Sequence, residues 1–138
     1  RWVVVARPDF GVSTRAAYGW WDEDSGAEPG RLAGSRSTHA LELANDLEAP
    51  VTARHPAIGA LLERLRTAGA ERAAMSGSGS AVFGLFDGRA AAARAAAALR
   101  GPSVQSWMTR TLSRRAYERM VEVVPVPGGR RALRTGRS

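Results

Sequence analysis

Hydrophobic and polar residues change period several times along the chain, and each change marks an element. Trp2-Val3-Val4-Val5-Ala6 is a valine-rich apolar run stopped by Pro8, which predicts a strand. Residues 15–21 read as a short helix, with Ser13 or Thr14 as its cap. Over 22–37 the composition turns to Gly, Ser, acidic residues and Pro29, which predicts a loop. Residues 38–48 place Leu41, Ala44 and Leu47 on one helical face; Pro50 interrupts, and 51–54 add a further turn. Residues 56–68 give the clearest helix. Pro56 suits the first position, Ile58, Leu61, Leu62 and Leu65 form an apolar stripe, and Gly69 stands where a left-handed closing residue is wanted.

Two apolar strands, 73–75 and 81–86, then flank a glycine-serine segment. An alanine helix over 89–99 follows, with Asp87 as its expected cap and Gly101-Pro102 as its stop. Residues 104–111 are the last expected strand. Tyr117, Met120 and Val121 mark a short amphipathic stretch before a Pro-Gly-Arg terminus that is expected to be disordered. This order predicts an α+β fold, with helices packed on one face of a small, mostly antiparallel sheet.

A chain of 138 residues is long enough for one packed core. At 44% hydrophobic and 24% charged it is neither disordered throughout nor fibrous. It contains no cysteine, which excludes a disulfide scaffold, a thiolate zinc site and a cysteine nucleophile. No apolar run approaches the roughly 20 residues of a membrane span, and no signal peptide is read, so a cytoplasmic setting is expected. The chain opens without Met, and we read it as a piece of something longer. The net charge is +7 and all the basic residues are arginine. Eight of them lie from Arg110 onward against only Glu118 and Glu122. The body is therefore near neutral and the basicity is mostly a tail, read as solvated or as a nonspecific contact for polyanions.

The segment with most chemical content is Met75-Ser76-Gly77-Ser78-Gly79-Ser80-Ala81-Val82-Phe83. Glycines permit positive φ, so successive N–H groups can converge on an anion, while serines add donors without bulk. The run is not a phosphate-binding loop of the Lys-Ser/Thr kind, a dinucleotide fingerprint or a nucleophile elbow, because the residues that complete those patterns are absent. A tight turn and a phosphate loop remain equally good readings of these residues alone. His39 and His55 have no metal-ligand spacing and read as surface or capping residues. Asp22, Glu23 and Asp24 read as solvated. Tyr18, Trp20 and Trp21 read as core, with one ring available to stack on a flat ligand. Asn45-Asp46-Leu47-Glu48 reads as packing or capping at a helix break.

Gly11-Val12-Ser13-Thr14 with Tyr18 four residues on, then Asn45-Asp46-Leu47-Glu48, then the glycine-serine segment, resemble in order and spacing the C-terminal half of the 4-diphosphocytidyl-2-C-methyl-D-erythritol kinases, a branch of the GHMP kinases. The resemblance runs from about Val3 to Thr111. It implies a ferredoxin-like α+β sandwich over 1–111; the basic tail over 112–138, expected to be partly disordered, and the 22–37 loop are not part of the pattern. It also implies transfer of the γ-phosphoryl of ATP to a hydroxyl of the methylerythritol unit, in the isoprenoid pathway that does not use mevalonate. Ser76, Gly77, Ser78, Gly79 and Ser80 take the place of the third GHMP motif. Tyr18 matches the aromatic that stacks on the cytosine ring, and Thr14 matches a position near the substrate. The family's ATP loop, catalytic Asp and Lys belong to its N-terminal half, so no catalytic residue is expected on this chain. ATP and Mg2+ are expected to be held mainly by that half, which becomes the expected partner beside the cytidylyl substrate; neither a membrane nor a nucleic acid is expected. The alternatives are another GHMP kinase acting on a different small alcohol, or a non-enzymatic anion- or RNA-binding α+β module.

Overall fold

The computed structural model describes residues 1–25 and 45–122. The expected helix over 38–44, most of the 22–37 loop, His39 and the terminus beyond 122 lie outside the described residues. The elements are β1 (Trp2–Pro8), α1 (Thr14–Ser25), α2 (Glu48–Arg54), α3 (Pro56–Thr67), β2 (Arg72–Met75), β3 (Val82–Phe86), α4 (Arg89–Leu99), β4 (Val104–Arg110) and α5 (Arg114–Glu122). The strands form one antiparallel sheet in the order β2-β3-β1-β4. With helices between β1 and β2 and between β3 and β4, this is the ferredoxin-like α+β arrangement.

Strand alternation decides which face is covered. Val4 and Ala6 of β1, Val82 and Phe86 of β3 and Met75 of β2 are buried on one face, against α3 and α4. Val3, Val5, Phe83 and Leu85 lie on the opposite face and are only half-buried. The α3 stripe of Ile58, Leu61, Leu62 and Leu65 is wholly inside the core, as its spacing predicts. Gly69 closes that helix at φ 93°, a conformation without penalty only for glycine. Gly84 lets α3 and β3 approach: a Cβ there would meet Leu65 Cδ2 and Ala70 Cβ at 3.1 Å. Ser106 is buried on β4, and its Oγ donates to the Ala96 carbonyl at 2.6 Å, tying β4 to α4.

Several boundaries depart from the sequence reading. β1 extends through Pro8, which lies past the end of the β3 pairing at the last strand position, where a missing N–H costs least. α1 continues through the acidic Asp22-Glu23-Asp24, expected as loop. Two of these carboxylates meet Arg54 from the far end of α2: Asp24 takes both terminal guanidinium nitrogens at 2.8 and 3.0 Å, and Glu23 takes one at 3.1 Å. Asn45, Asp46 and Leu47 form a turn, and α2 begins only at Glu48. Pro50 therefore does not interrupt a helix; it sits in the first turn of one, where no intrahelical donor is needed. Asp87 does not cap α4. The N-cap residue is Gly88, while the Asp87 carboxylate pairs with Arg1. The stretch after β4 forms a helix, α5, with Tyr117, Met120 and Val121 exposed.

Candidate functional site

The glycine-serine segment is a turn of defined hydrogen bonding. The Ser76 N–H donates to the Ala81 carbonyl at 2.8 Å, and the Gly79 N–H donates back to Ser76 O at 3.0 Å. Gly77 and Gly79 both have positive φ, 58° and 87°. The reasons for the two glycines differ. A Cβ on Gly79 would meet Met75 Sδ at 2.9 Å and Ile58 Cδ1 at 3.7 Å, so this glycine lets the loop sit on the core. A Cβ on Gly77 would meet nothing within 4 Å, so this glycine leaves an open surface. Ser80 is buried, and its Oγ donates to the Phe10 carbonyl at 2.5 Å, which fastens the loop to the segment leading from β1 to α1. Among the described residues, the N–H groups of Gly77 and Ser78 have no protein acceptor.

The start of α1 comes to the same place. Ser13 caps the helix, its Oγ accepting the Ala16 N–H at 3.4 Å and its carbonyl accepting the Ala17 N–H at 2.9 Å. Thr14 is consequently the first helical residue and not the cap, and its hydroxyl is free to meet Ser78 Oγ at 2.9 Å. That contact spans 64 residues of sequence and joins two of the positions singled out above. A helix N-terminus and a loop with unpaired amides thus converge, and each presents N–H donors suited to an anion. Beside them runs a cleft of about 380 Å³ lined by Arg7, Phe10, Gly11, Val12, Gly79 and Ser80.

Tyr18 lies one helical turn beyond Thr14, on the same face of α1, and is 44% exposed. Trp20 is occupied differently: His55 lies against its ring at 5.5 Å between centroids, and the Arg54 guanidinium is 5.4 Å from its centroid. Trp21 packs on the core. Of the three aromatics of α1, Tyr18 is therefore the one with a ring available to a ligand. His55 stacks on Phe10 at 5.4 Å and holds the N-cap position of α3 between α2 and α3; it stands where a cap is expected, but its side chain packs and makes no capping hydrogen bond.

The residue that sequence reasoning undervalued is Asn45. Its Oδ1 accepts the Leu47 N–H at 3.1 Å, an Asx-type turn leading into α2, whose N-cap residue is Leu47. Its Nδ2 donates to the carbonyls of Met75 at 2.9 Å and Gly77 at 2.8 Å, thirty and thirty-two residues away. Glu48 adds to this, its Oε2 accepting the Met75 N–H at 2.8 Å. In the sequence Asn45 lies inside the helix expected over 38–48, and its only signal is packing or capping at the break of that helix.

Comparison with known proteins agrees with the fold. The family model described as GHMP kinases C terminal matches residues 27–104. The chain belongs to the GHMP kinase family. It is 38% identical over 122 residues to the 4-diphosphocytidyl-2-C-methyl-D-erythritol kinase of Moorella thermoacetica, covering 80% of this chain and 43% of that protein. It is 44% identical over 121 residues to the enzyme of the same name from Anaeromyxobacter sp. strain K, covering 81% of this chain and 39% of that protein. A crystal structure of 4-(cytidine 5'-diphospho)-2C-methyl-D-erythritol kinase superposes with a TM-score of 0.58 at 29% identity, covering 78% of this chain and 41% of that one. The chain thus spans about two fifths of the length of the relatives it matches. As a GHMP kinase C-terminal domain it carries, on its four-stranded sheet, a cleft between the segment leading from β1 to α1 and the end of the glycine loop.

Proposed function

We propose that this chain is the substrate-side part of an ATP-dependent kinase that phosphorylates a hydroxyl of 4-diphosphocytidyl-2-C-methyl-D-erythritol, a step of isoprenoid synthesis. The observation that carries the reading is the identity of about two fifths with kinases of that name, sustained over four fifths of the chain. In this reaction the substrate hydroxyl oxygen bonds to the γ-phosphorus of ATP, the bond to the β-phosphate oxygen breaks, ADP leaves, and the hydroxyl proton passes to a base. Such transfers depend mainly on positioning and charge stabilisation. On this reading the donors of Gly77, Ser78 and the α1 N-terminus meet a phosphate group, and Thr14 lies at the substrate. The Tyr18 ring stacks on the cytosine. ATP and Mg2+ are assigned mainly to the portion of the kinase that this chain does not span, as are the base and the lysine. The donor set here suits phosphate oxygens and contains no ligand group we assign to the metal.

The test is a chimera in which this chain replaces the matching C-terminal segment of the Anaeromyxobacter kinase. ADP formation should require both ATP and the cytidylyl alcohol. A folded chimera that ignores this alcohol and phosphorylates another one would transfer the chain to a different branch of the family.

A further inference from the structure

We infer that Asn45 is a positioning residue for the glycine loop, setting the direction in which its amides face; this rests on the reading of that loop as an anion cradle. Both ends of the Asn45 side-chain amide are engaged: the oxygen accepts the Leu47 N–H, and the nitrogen gives both of its hydrogens to two carbonyls that bracket Ser76. Reversing the amide would set its oxygen against two carbonyl oxygens, so the orientation is fixed by the partners. With Glu48 on the Met75 N–H, Asn45 and the first residue of α2 together grip three backbone groups of Met75 and Gly77 along one edge of the loop.

The consequence follows from the planarity of the peptide. In a trans peptide the C=O and the N–H of the next residue point in opposite directions. Holding the Gly77 carbonyl toward Asn45 therefore turns the Ser78 N–H away from Asn45, and that amide has no protein acceptor among the described residues. Gly77, at φ 58° and with open space where a side chain would be, has nothing of its own to prevent this peptide from turning over. Thr14, bonded to Ser78 Oγ, holds the side chain of the same residue but not its peptide plane. Asn45 supplies the missing constraint, and preorganised donors are those that act on phosphate charge without reorganising.

The experiment uses the full chain, labelled with 15N, and inorganic pyrophosphate as the probe. In the wild type the Gly77 and Ser78 amide resonances should shift saturably, and the Asn45 Nδ2 resonances should shift with the same Kd. Asn45→Ser is neutral and keeps an acceptor for the Leu47 N–H, but it is too short to reach both carbonyls. It should weaken pyrophosphate binding about tenfold, or about 1.4 kcal/mol, while amide shifts in α3, α4 and the sheet stay in place. Asn45→Ala should match it. Unchanged affinity in a folded variant overturns the role of Asn45 and leaves the anion cradle standing. Absence of any shift at Gly77 and Ser78 in the wild type overturns the cradle itself. Should both variants unfold, Asn45 Nδ2 resonances that stay silent while Gly77 and Ser78 respond overturn the positioning role.

Discussion

At the residue scale, the two loop glycines separate stability from access. Gly79 has φ 87° and a virtual Cβ 2.9 Å from Met75 Sδ, so Gly79→Val combines left-handed strain with overpacking and should cost about 2–4 kcal/mol. Gly77→Ala meets only the strain of φ 58° and should cost about 1–2 kcal/mol. Chemical denaturation of both variants checks the ranking; a Gly79→Val chain as stable as Gly77→Ala would mean that Met75 yields freely and the loop is not seated on the core. Tyr18 is tested in the chimera. Removing a base–aromatic stack costs roughly 1–3 kcal/mol, so Tyr18→Ala should raise the KM for the cytidylyl alcohol about tenfold and leave that for ATP unchanged. Tyr18→Phe should keep the stack. Equal behaviour of the two variants would return Tyr18 to an ordinary surface position.

At the element scale, what sequence could and could not reveal has a common cause. The four strands, the α3 stripe and the alanine helix follow from local period and punctuation, and the structure places them within a few residues of expectation. The end of α1 was not legible, because Asp22-Glu23-Asp24 looks like a solvated run until Arg54, thirty residues on, is brought against it. The same holds for Asn45, read locally as a cap, whose two carbonyl partners are supplied only by folding. Thr14, Ser78 and the glycines were legible as residues, but their convergence was not.

The Arg54 clasp between α1 and α2 makes a pH prediction. Hydrogen bonds from Arg54, then its charge, hold the Asp24 carboxyl below its ordinary 3.8 against a smaller opposing effect of desolvation. A carboxyl depressed in the folded state contributes stability that is fully present above its unfolded value and is lost as pH falls through the folded one. The wild type should therefore lose more Tm than Asp24→Asn when the pH is lowered from about 5 to about 3, across the carboxylate range. Glu71 works in the other direction: a hydrogen bond with Asp87, chiefly, raises its value, so its contribution is present at low pH and fades as pH rises through the folded value. Because Glu71 is the same in both proteins, the difference between their melting curves isolates Asp24. Parallel acid limbs would show that the clasp contributes nothing to stability.

At the scale of the whole molecule, the proposed function makes the chain one side of a reaction site. The described residues bring together phosphate-type donors and an available aromatic ring, yet the sequence contains no lysine, and it spans about two fifths of the kinases it resembles. Donors alone bind an anion without activating a nucleophile, because phosphoryl transfer also needs charge neutralisation at the leaving oxygens and a group to accept the hydroxyl proton. The 138-residue chain by itself should consequently show no turnover with ATP, Mg2+ and the cytidylyl alcohol, although it should bind pyrophosphate at the glycine loop. The chimera, which restores the remaining three fifths from the Anaeromyxobacter enzyme, should recover turnover at an ordinary enzymatic rate of about 1 s⁻¹ or more. The two measurements are made on one preparation of substrate by following ADP. Turnover by the isolated chain at that rate would refute the division of labour, since it would require a base and a charge-neutralising group among residues that here serve as cap, clasp and core.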